Sequence, residues 1–261
     1  MNTTSRIGKA LTSRIVEEDA SYRTRMMGIA AGLDDVIAMG RGDPDFHTPP
    51  HIVEAAIKAL HANEHHYTPP HGLPALREAI AENLKRFDLD YDADEIAVTA
   101  GVQESIMLCM LALVNEGDEV LITSPRFTTY DTAVHMCGGT PVPVPTVEAD
   151  DFALTPQAIE VRITDRSKVL VLVSPNNPTG AVTPPETIRA IADLAKRHGL
   201  IVISDEIYAD LIYEGAKHLS IASLPGMKER TITLNGFSKT YAMTGWRVGY
   251  LAAPRDVVHQ L

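Results

Sequence analysis

Lys239, in Gly236-Phe237-Ser238-Lys239-Thr240, follows a strand-forming run and is flanked by small and apolar residues. Desolvation in such a setting lowers an ammonium pKa and frees a neutral amine nucleophile. Arg247 stands eight residues further on, in Met243-Thr244-Gly245-Trp246-Arg247. Asp205 closes another apolar run in Asp205-Glu206-Ile207-Tyr208. A carboxylate at the end of a buried strand is costly without a cationic partner, and Tyr208 is near enough to serve the same site. A helix N-cap is an equally open reading of Asp205. Asn177 lies in Ser174-Pro175-Asn176-Asn177-Pro178-Thr179-Gly180, where two prolines and a glycine fix the loop and aim the asparagines; read alone, this is also a rigid turn. Pro178 excludes a glycosylation acceptor at Asn177. Ala100-Gly101-Val102-Gln103 opens a helical pattern, where a glycine and free N–H groups could receive a phosphate, although most such turns only connect elements.

Other signatures are absent: no G-x-x-x-x-G-K-[ST], G-x-G-x-x-G, G-x-S-x-G or H-E-x-x-H occurs. His61 and His65, with Glu64 between them, form a conceivable metal pair on a helix, but no third ligand stands at a suitable spacing, so no metal is expected. His47 and His51 are separated by prolines and have a weaker claim.

Positioning these groups falls to a repeating pattern. From about residue 94, short apolar runs at 96 to 99, 119 to 123, 140 to 144, 168 to 174, 200 to 204, 231 to 235 and 247 to 252 alternate with helical patterns at 103 to 115, 127 to 137 and 185 to 198. The last pattern begins with two prolines and stops at Gly199. Such alternation predicts an α/β fold with a mainly parallel sheet covered on both faces, and ligands bound outside the carboxyl ends of its strands. The four chemical segments all fall at predicted strand ends. The first 90 residues differ: a polar, partly helical arm to about Asp35, an apolar stretch reaching Gly42-Asp43-Pro44-Asp45-Phe46, then helical patterns at 51 to 61 and 73 to 87.

The 261 residues, 45% apolar and 22% charged, allow one large domain with an appendage or two medium ones. Acidic residues outnumber basic ones by 34 to 23, and only 14 aromatics are present, which argues against nucleic acid as a partner. The longest apolar run, 106 to 114, falls short of the roughly 20 residues a membrane span needs, and the N-terminus has no signal-peptide core. A soluble, cytoplasmic protein with no membrane partner is expected. Cys109 and Cys137 are expected to be buried free thiols.

Taken together and in order, these segments resemble the fold-type-I, pyridoxal-phosphate-dependent aminotransferases, specifically class I/II of the aspartate aminotransferase superfamily. S-P-N-N-P-T-G, D-E-x-Y and S-K-(x)3-T-G-W-R carry the resemblance, which extends from the arm through Tyr67-(x)4-Gly72-(x)3-Leu76-Arg77 to Gly245-Trp246-Arg247-Val248-Gly249-Tyr250. It implies a three-layer α/β/α large domain with a seven-stranded, mainly parallel sheet at 49-261. An arm and interface segment would occupy 1-48.

The resemblance also implies the cofactor pyridoxal 5'-phosphate and residue roles. Lys239 would be the Schiff-base lysine and general acid/base of a ping-pong aldimine mechanism between an L-amino acid and a 2-oxo acid. Asp205 would pair with the pyridine nitrogen, Tyr208 and Asn177 with the phenolic oxygen, and Phe127 would stack on the ring. Gly101, Val102, Gln103, Ser238 and Arg247 would hold the phosphate, with Tyr67 reaching the phosphate of a neighbouring subunit in a homodimer with shared active sites. Gly42 would contact the substrate carboxylate, as would the Asn177 side of the site.

Three departures qualify this pattern. Phe127 stands where some members carry Trp, and Gly236 where some carry a phosphate-binding serine. Family chains continue beyond the Gly-Trp-Arg segment into a C-terminal small domain, so a truncated form with little turnover is expected. A C–S β-lyase and a non-catalytic cofactor-binding module are the alternatives.

Overall fold

Alternating apolar side chains explain the sheet at the centre of this protein. In the computed structural model, which describes residues 5–10, 19–37, 40 and 42–261, strand β4 (Ser167–Val173) sends Val169, Val171 and Val173 into one core and Leu170 and Leu172 into another. Successive side chains of a strand face opposite ways, so an unbroken apolar run produces a strand buried on both faces.

Its neighbours behave alike: β2 (Glu119–Ser124), β5 (Ile201–Asp205) and β6 (Thr231–Gly236) are buried almost throughout. With β1 (Ile96–Thr99), β3 (Thr140–Pro145) and β7 (Gly249–Ala252) they form one sheet in the order β1-β7-β6-β5-β4-β2-β3. Helices α5 (Val102–Leu113), α6 (Thr129–Met136) and α9 (Arg255–Val258) contribute to the core on one face; α7 (Pro156–Glu160) and α8 (Pro185–His198) contribute to the core on the other. The result is the expected three-layer α/β/α arrangement.

Local signals set several boundaries. Helix α8 starts at Pro185 and ends where Gly199 takes a left-handed φ of 66°, with Lys196, Arg197 and His198 in its last turn. That placement complements the helix dipole and its unpaired carbonyls.

The sheet departs from parallel at one strand. β7 runs antiparallel to both β1 and β6, with Gly249 opposite Thr99 on one side and Gly236 on the other. The start of β7 therefore lies level with the carboxyl ends of β1 and β6.

Two compact units divide the chain: Met1–Gly42 and Asp43–Leu261. In the first, α1 (Arg6–Lys9) is short and α2 (Asp19–Ala30) has 12 residues, and Met26, Met27, Ile29, Leu33 and Ile37 are exposed. Residues 38, 39 and 41 of the expected apolar stretch lie outside the described residues. In the second unit, α3 (Pro50–His61) buries no residue, and α4 (Pro74–Leu84) packs Ile80, Ala81 and Leu84 beside Ile96 and Tyr250.

The structure settles the placement of His61 and His65 and corrects the expected burial of Cys137. Helix α3 ends at His61 and Asn63 turns left-handed at φ 63°, so His61 and His65 share no helix face. No group of three metal-capable residues occurs among the described residues. Cys109 is buried as expected but Cys137 only partly, and both are free.

Candidate active site

Six of the seven strands point the same way, so the segments following β1, β4, β5 and β6 emerge at one edge of the sheet. Asp205 is the last residue of β5, the middle strand, and is 5% exposed. Burial pushes its carboxyl up to about 6, partly opposed by a hydrogen bond from Tyr130. The Tyr130 hydroxyl, on α6, donates to Oδ2 at 2.6 Å and the Ile207 N–H to Oδ1 at 3.2 Å. Both carboxylate oxygens are thus engaged inside the protein. No helix follows β5, so Asp205 is not a helix N-cap; the Ile207 N–H on Oδ1 closes a turn instead.

Tyr208 follows in the same turn. Asn177, in the loop after β4, points its Nδ2 at the Tyr208 hydroxyl, 3.3 Å away. The loop is braced beneath: Asn176 Nδ2 donates to Thr123 Oγ1 at 3.2 Å, the Thr179 hydroxyl to Asn176 Oδ1 at 3.0 Å, and the Thr183 N–H to Ser174 Oγ at 2.9 Å. Burial, followed by the nearby Asp205 charge, raises the Tyr208 phenol above its ordinary value.

Lys239 leaves the end of β6 and brings Nζ to 5.7 Å from the centre of the Tyr208 ring. The amine is half-buried. Desolvation lowers its pKa from the ordinary value; Asp43 opposes this and Arg247 adds to it. Beside it, Ser238 is buried.

Arg247 reaches the same edge because β7 is reversed. Its own backbone is left-handed at φ 56°, and Nη1 donates to the Thr244 carbonyl at 2.9 Å. The guanidinium lies against Gly101, which caps the start of α5 at φ 83°. A Cβ at Gly101 would strike the guanidinium, and one at Gly249 would come within 2.7 Å of the Gly101 carbonyl carbon and the Val102 nitrogen. Two glycines are therefore required for this approach. Val102 and Gln103 open the helix, where N–H groups lack intrahelical acceptors. The Gly101 N–H donates to the Thr99 carbonyl at 2.8 Å.

Gly236 also acquires a physical reason. A Cβ there would lie 2.9 Å from the Gly249 Cα and 3.1 Å from the Val248 carbonyl oxygen, so a serine would require the two strands to part. Phe127, in the loop before α6, is partly buried against the core that contains Val173. Tyr67 is fully exposed. Gly42 closes the first unit with a left-handed φ of 59°.

Sequence reasoning missed several features, three of them here. Tyr130 is one; a tyrosine in an otherwise apolar helix face, whose hydroxyl needs a partner, was the available signal. The second is Glu206, whose side chain leaves β5 on the face opposite Asp205 and is 1% exposed. It accepts from Ser204 at 2.8 Å and Ser220 at 2.6 Å, and meets His218 Nε2 at 3.0 Å. The third is the tie between residues 43–48 and the Lys239 loop: Thr244 Oγ1 donates to Asp43 at 2.5 Å, Thr48 Oγ1 to the Ala242 carbonyl at 2.6 Å and Trp246 Nε1 to Thr48 at 3.1 Å. A cavity of about 550 Å³ opens between the two segments.

Comparison with known proteins identifies the family. The family described as aminotransferase class I and II matches residues 34–261. An aspartate aminotransferase of Pyrococcus abyssi is 47% identical over 97% of this chain, and aromatic-amino-acid aminotransferase 2 of Thermococcus litoralis is 44% identical over 97%. The chain spans 65% of the length of each. Among solved structures, an aromatic aminotransferase from Pyrococcus horikoshii OT3 superposes with a TM-score of 0.85 at 47% identity, over 90% of this chain and 64% of that one.

Proposed function

This chain belongs to the class I and II aminotransferases, and on that premise we propose that its site holds pyridoxal 5'-phosphate and transfers an amino group between an L-amino acid and a 2-oxo acid. The observation that carries this reading is the meeting of Lys239, Asp205, the Asn177–Tyr208 pair and Arg247 at one sheet edge.

The residues fit that cofactor. The cleft beside Gly101 admits no Cβ, and it places a guanidinium against a helix start, a donor set for a phosphate dianion. Ser238 would add a hydroxyl. The buried Asp205 carboxylate has no cationic partner among the described residues and suits a protonated ring nitrogen. Tyr208 and Asn177 would meet the phenolic oxygen, and Phe127 the ring face. When bound, the cofactor supplies an aldehyde that captures an amine and a conjugated ring that draws electron density from the adjoining carbon.

The chain's own residues do the rest. Lys239 provides the capturing amine, and its lowered pKa favours the neutral form that can attack and afterwards carry a proton from the substrate carbon. Asp205, ionised above about pH 6, keeps a proton on the ring nitrogen. Tyr130 holds the carboxylate in place for that task.

The finer assignments complete the proposal. Residues 49-261 act as the cofactor-binding domain and 1-48 as an arm and interface segment. The protein is a homodimer of the cytoplasm, with the exposed Tyr67 turned to a partner's phosphate and Gly42 to the substrate carboxylate. No helix among the described residues is long and apolar enough to cross a membrane. The names of the relatives favour transamination over lyase chemistry, and aspartate and aromatic amino acids are the first donors to try. Mixing the chain with pyridoxal phosphate should give a visible band that borohydride reduces onto Lys239; a band unchanged in Lys239→Ala would refute the assignment.

A further inference from the structure

We propose that Asp210 is a positioning residue for Lys239, acting through the side chain of Thr240. The inference rests on the assignment of Lys239 as the cofactor-capturing amine. Thr240 is next to Lys239 in the chain, and Asp210 is two residues after Tyr208. The Thr240 hydroxyl donates to Asp210 Oδ2 at 2.9 Å. Arg86, in the 3₁₀ turn Lys85–Phe87 after α4, grips the same carboxylate with Nη1 on Oδ1 at 2.6 Å and Nη2 on Oδ2 at 2.7 Å. A two-point guanidinium contact fixes the plane of a carboxylate as well as its place. Burial alone would push the Asp210 carboxyl up, yet the hydrogen bonds from Arg86 and Thr240 outweigh it and hold the group below its ordinary value. It is therefore an ionised acceptor at neutral pH.

The tie adds a side-chain restraint to the lysine loop, which is held by backbone bonds, among them the Ala242 N–H on the Lys239 carbonyl at 3.3 Å. Its backbone is held at the root, where the Phe237 N–H donates to the Val248 carbonyl at 3.2 Å, and at the return, where the Met243 N–H donates to the Ser238 carbonyl at 3.1 Å. Behind the loop lies a cavity of about 220 Å³ bordered by Asn83, Arg86, Asp210, Asn235, Phe237 and Thr240. Packing on that side is incomplete, so the Thr240–Asp210 bond restrains the residue beside Lys239. Because Asp210 belongs to the turn that carries Tyr208, with the Leu211 N–H on the Tyr208 carbonyl at 2.8 Å, the bond sets the amine relative to the phenol.

The test uses the full chain, titrated with pyridoxal phosphate and followed by visible absorbance, visible circular dichroism and borohydride trapping. Thr240→Val keeps the shape and removes the donor. We expect its cofactor affinity to fall about tenfold, the size of one hydrogen bond to a charged group, with a changed dichroic band. Thr240→Ser should restore both. Should Thr240→Val not fold, Asp210→Asn, which keeps the volume but loses the match to Arg86, should show the same direction of change. Wild-type affinity and dichroism in Thr240→Val or, where that variant does not fold, in Asp210→Asn would overturn the proposal, as would failure of Thr240→Ser to restore them. Absence of any visible band in the unsubstituted chain would instead overturn the cofactor assignment, and this proposal with it.

Discussion

The hydroxyl of Tyr130 lies 2.6 Å from Oδ2 of Asp205, and both side chains are buried. Tyr130→Phe removes the donor and leaves a carboxylate oxygen without it in the interior. The expected loss is about 1–3 kcal/mol of unfolding free energy near pH 7, read from urea titration. Because this bond opposes the upward shift of Asp205, its removal should move that titration higher still. An unchanged urea midpoint at pH 7 would contradict this.

Asp205 also makes a pH prediction for the cofactor-free protein. Its carboxyl is raised from an ordinary 3.8 to about 6, so the folded state binds the proton more tightly than the unfolded chain. The associated stability is fully present below about pH 4 and is lost as pH rises through about 6. The change corresponds to about 3 kcal/mol. Asp205→Asn should flatten this part of the stability profile, measured by urea denaturation at about pH 4.5 and about pH 7.5, between which about two thirds of the change falls. It should also weaken pyridoxal phosphate binding. A profile as steep in the variant would show that other groups dominate.

Gly101 makes a steric prediction. Gly101→Ala imposes both a strained φ of 83° and a Cβ overlapping the Arg247 guanidinium. Arg247 must move away from the start of α5. Affinity for pyridoxal phosphate should fall at least about tenfold, with a stability loss of about 1–3 kcal/mol. Fluorescence titration with the cofactor would check the first and urea unfolding the second; unaltered affinity would remove Arg247 from the phosphate site.

Glu206 is structural on the face opposite Asp205. Glu206→Ala strands the hydroxyls of Ser204 and Ser220 and the ring of His218 without their shared acceptor. Breaking such a buried network should cost about 3–5 kcal/mol. Ser220→Ala, which removes one donor of three, should cost less, about 1 kcal/mol. Equal losses in the two variants would argue against a shared network.

Much of the scaffold was readable because its causes are local. The strand Ile96–Thr99 and the helix Pro185–His198 occupy the expected residues, since apolar alternation, proline starts and a glycine stop act within a few positions. Lys239, Asp205, Tyr208 and Asn177 were legible as strand-end chemistry for the same reason. Tyr130, which holds Asp205, was not, because the two are 75 residues apart and only the packing of α6 on the sheet joins them. Asp210 and Thr240 were missed likewise, 30 residues apart and each unremarkable in its own segment.

The sequence by itself determined which chemical groups exist and that a mainly parallel sheet would present them at its carboxyl edge. Tertiary structure decided which of them meet. The reversal of β7 is the clearest case: the sequence pattern places a strand at 247–252, of which 249–252 forms one, but carries no direction, since a two-residue repeat reads the same from either end. Only its pairing between β1 and β6, antiparallel to both, brings Arg247 against Gly101. The same pairing spends the Gly249 and Gly236 positions on close backbone approach, a demand that no neighbouring residue in the chain could announce.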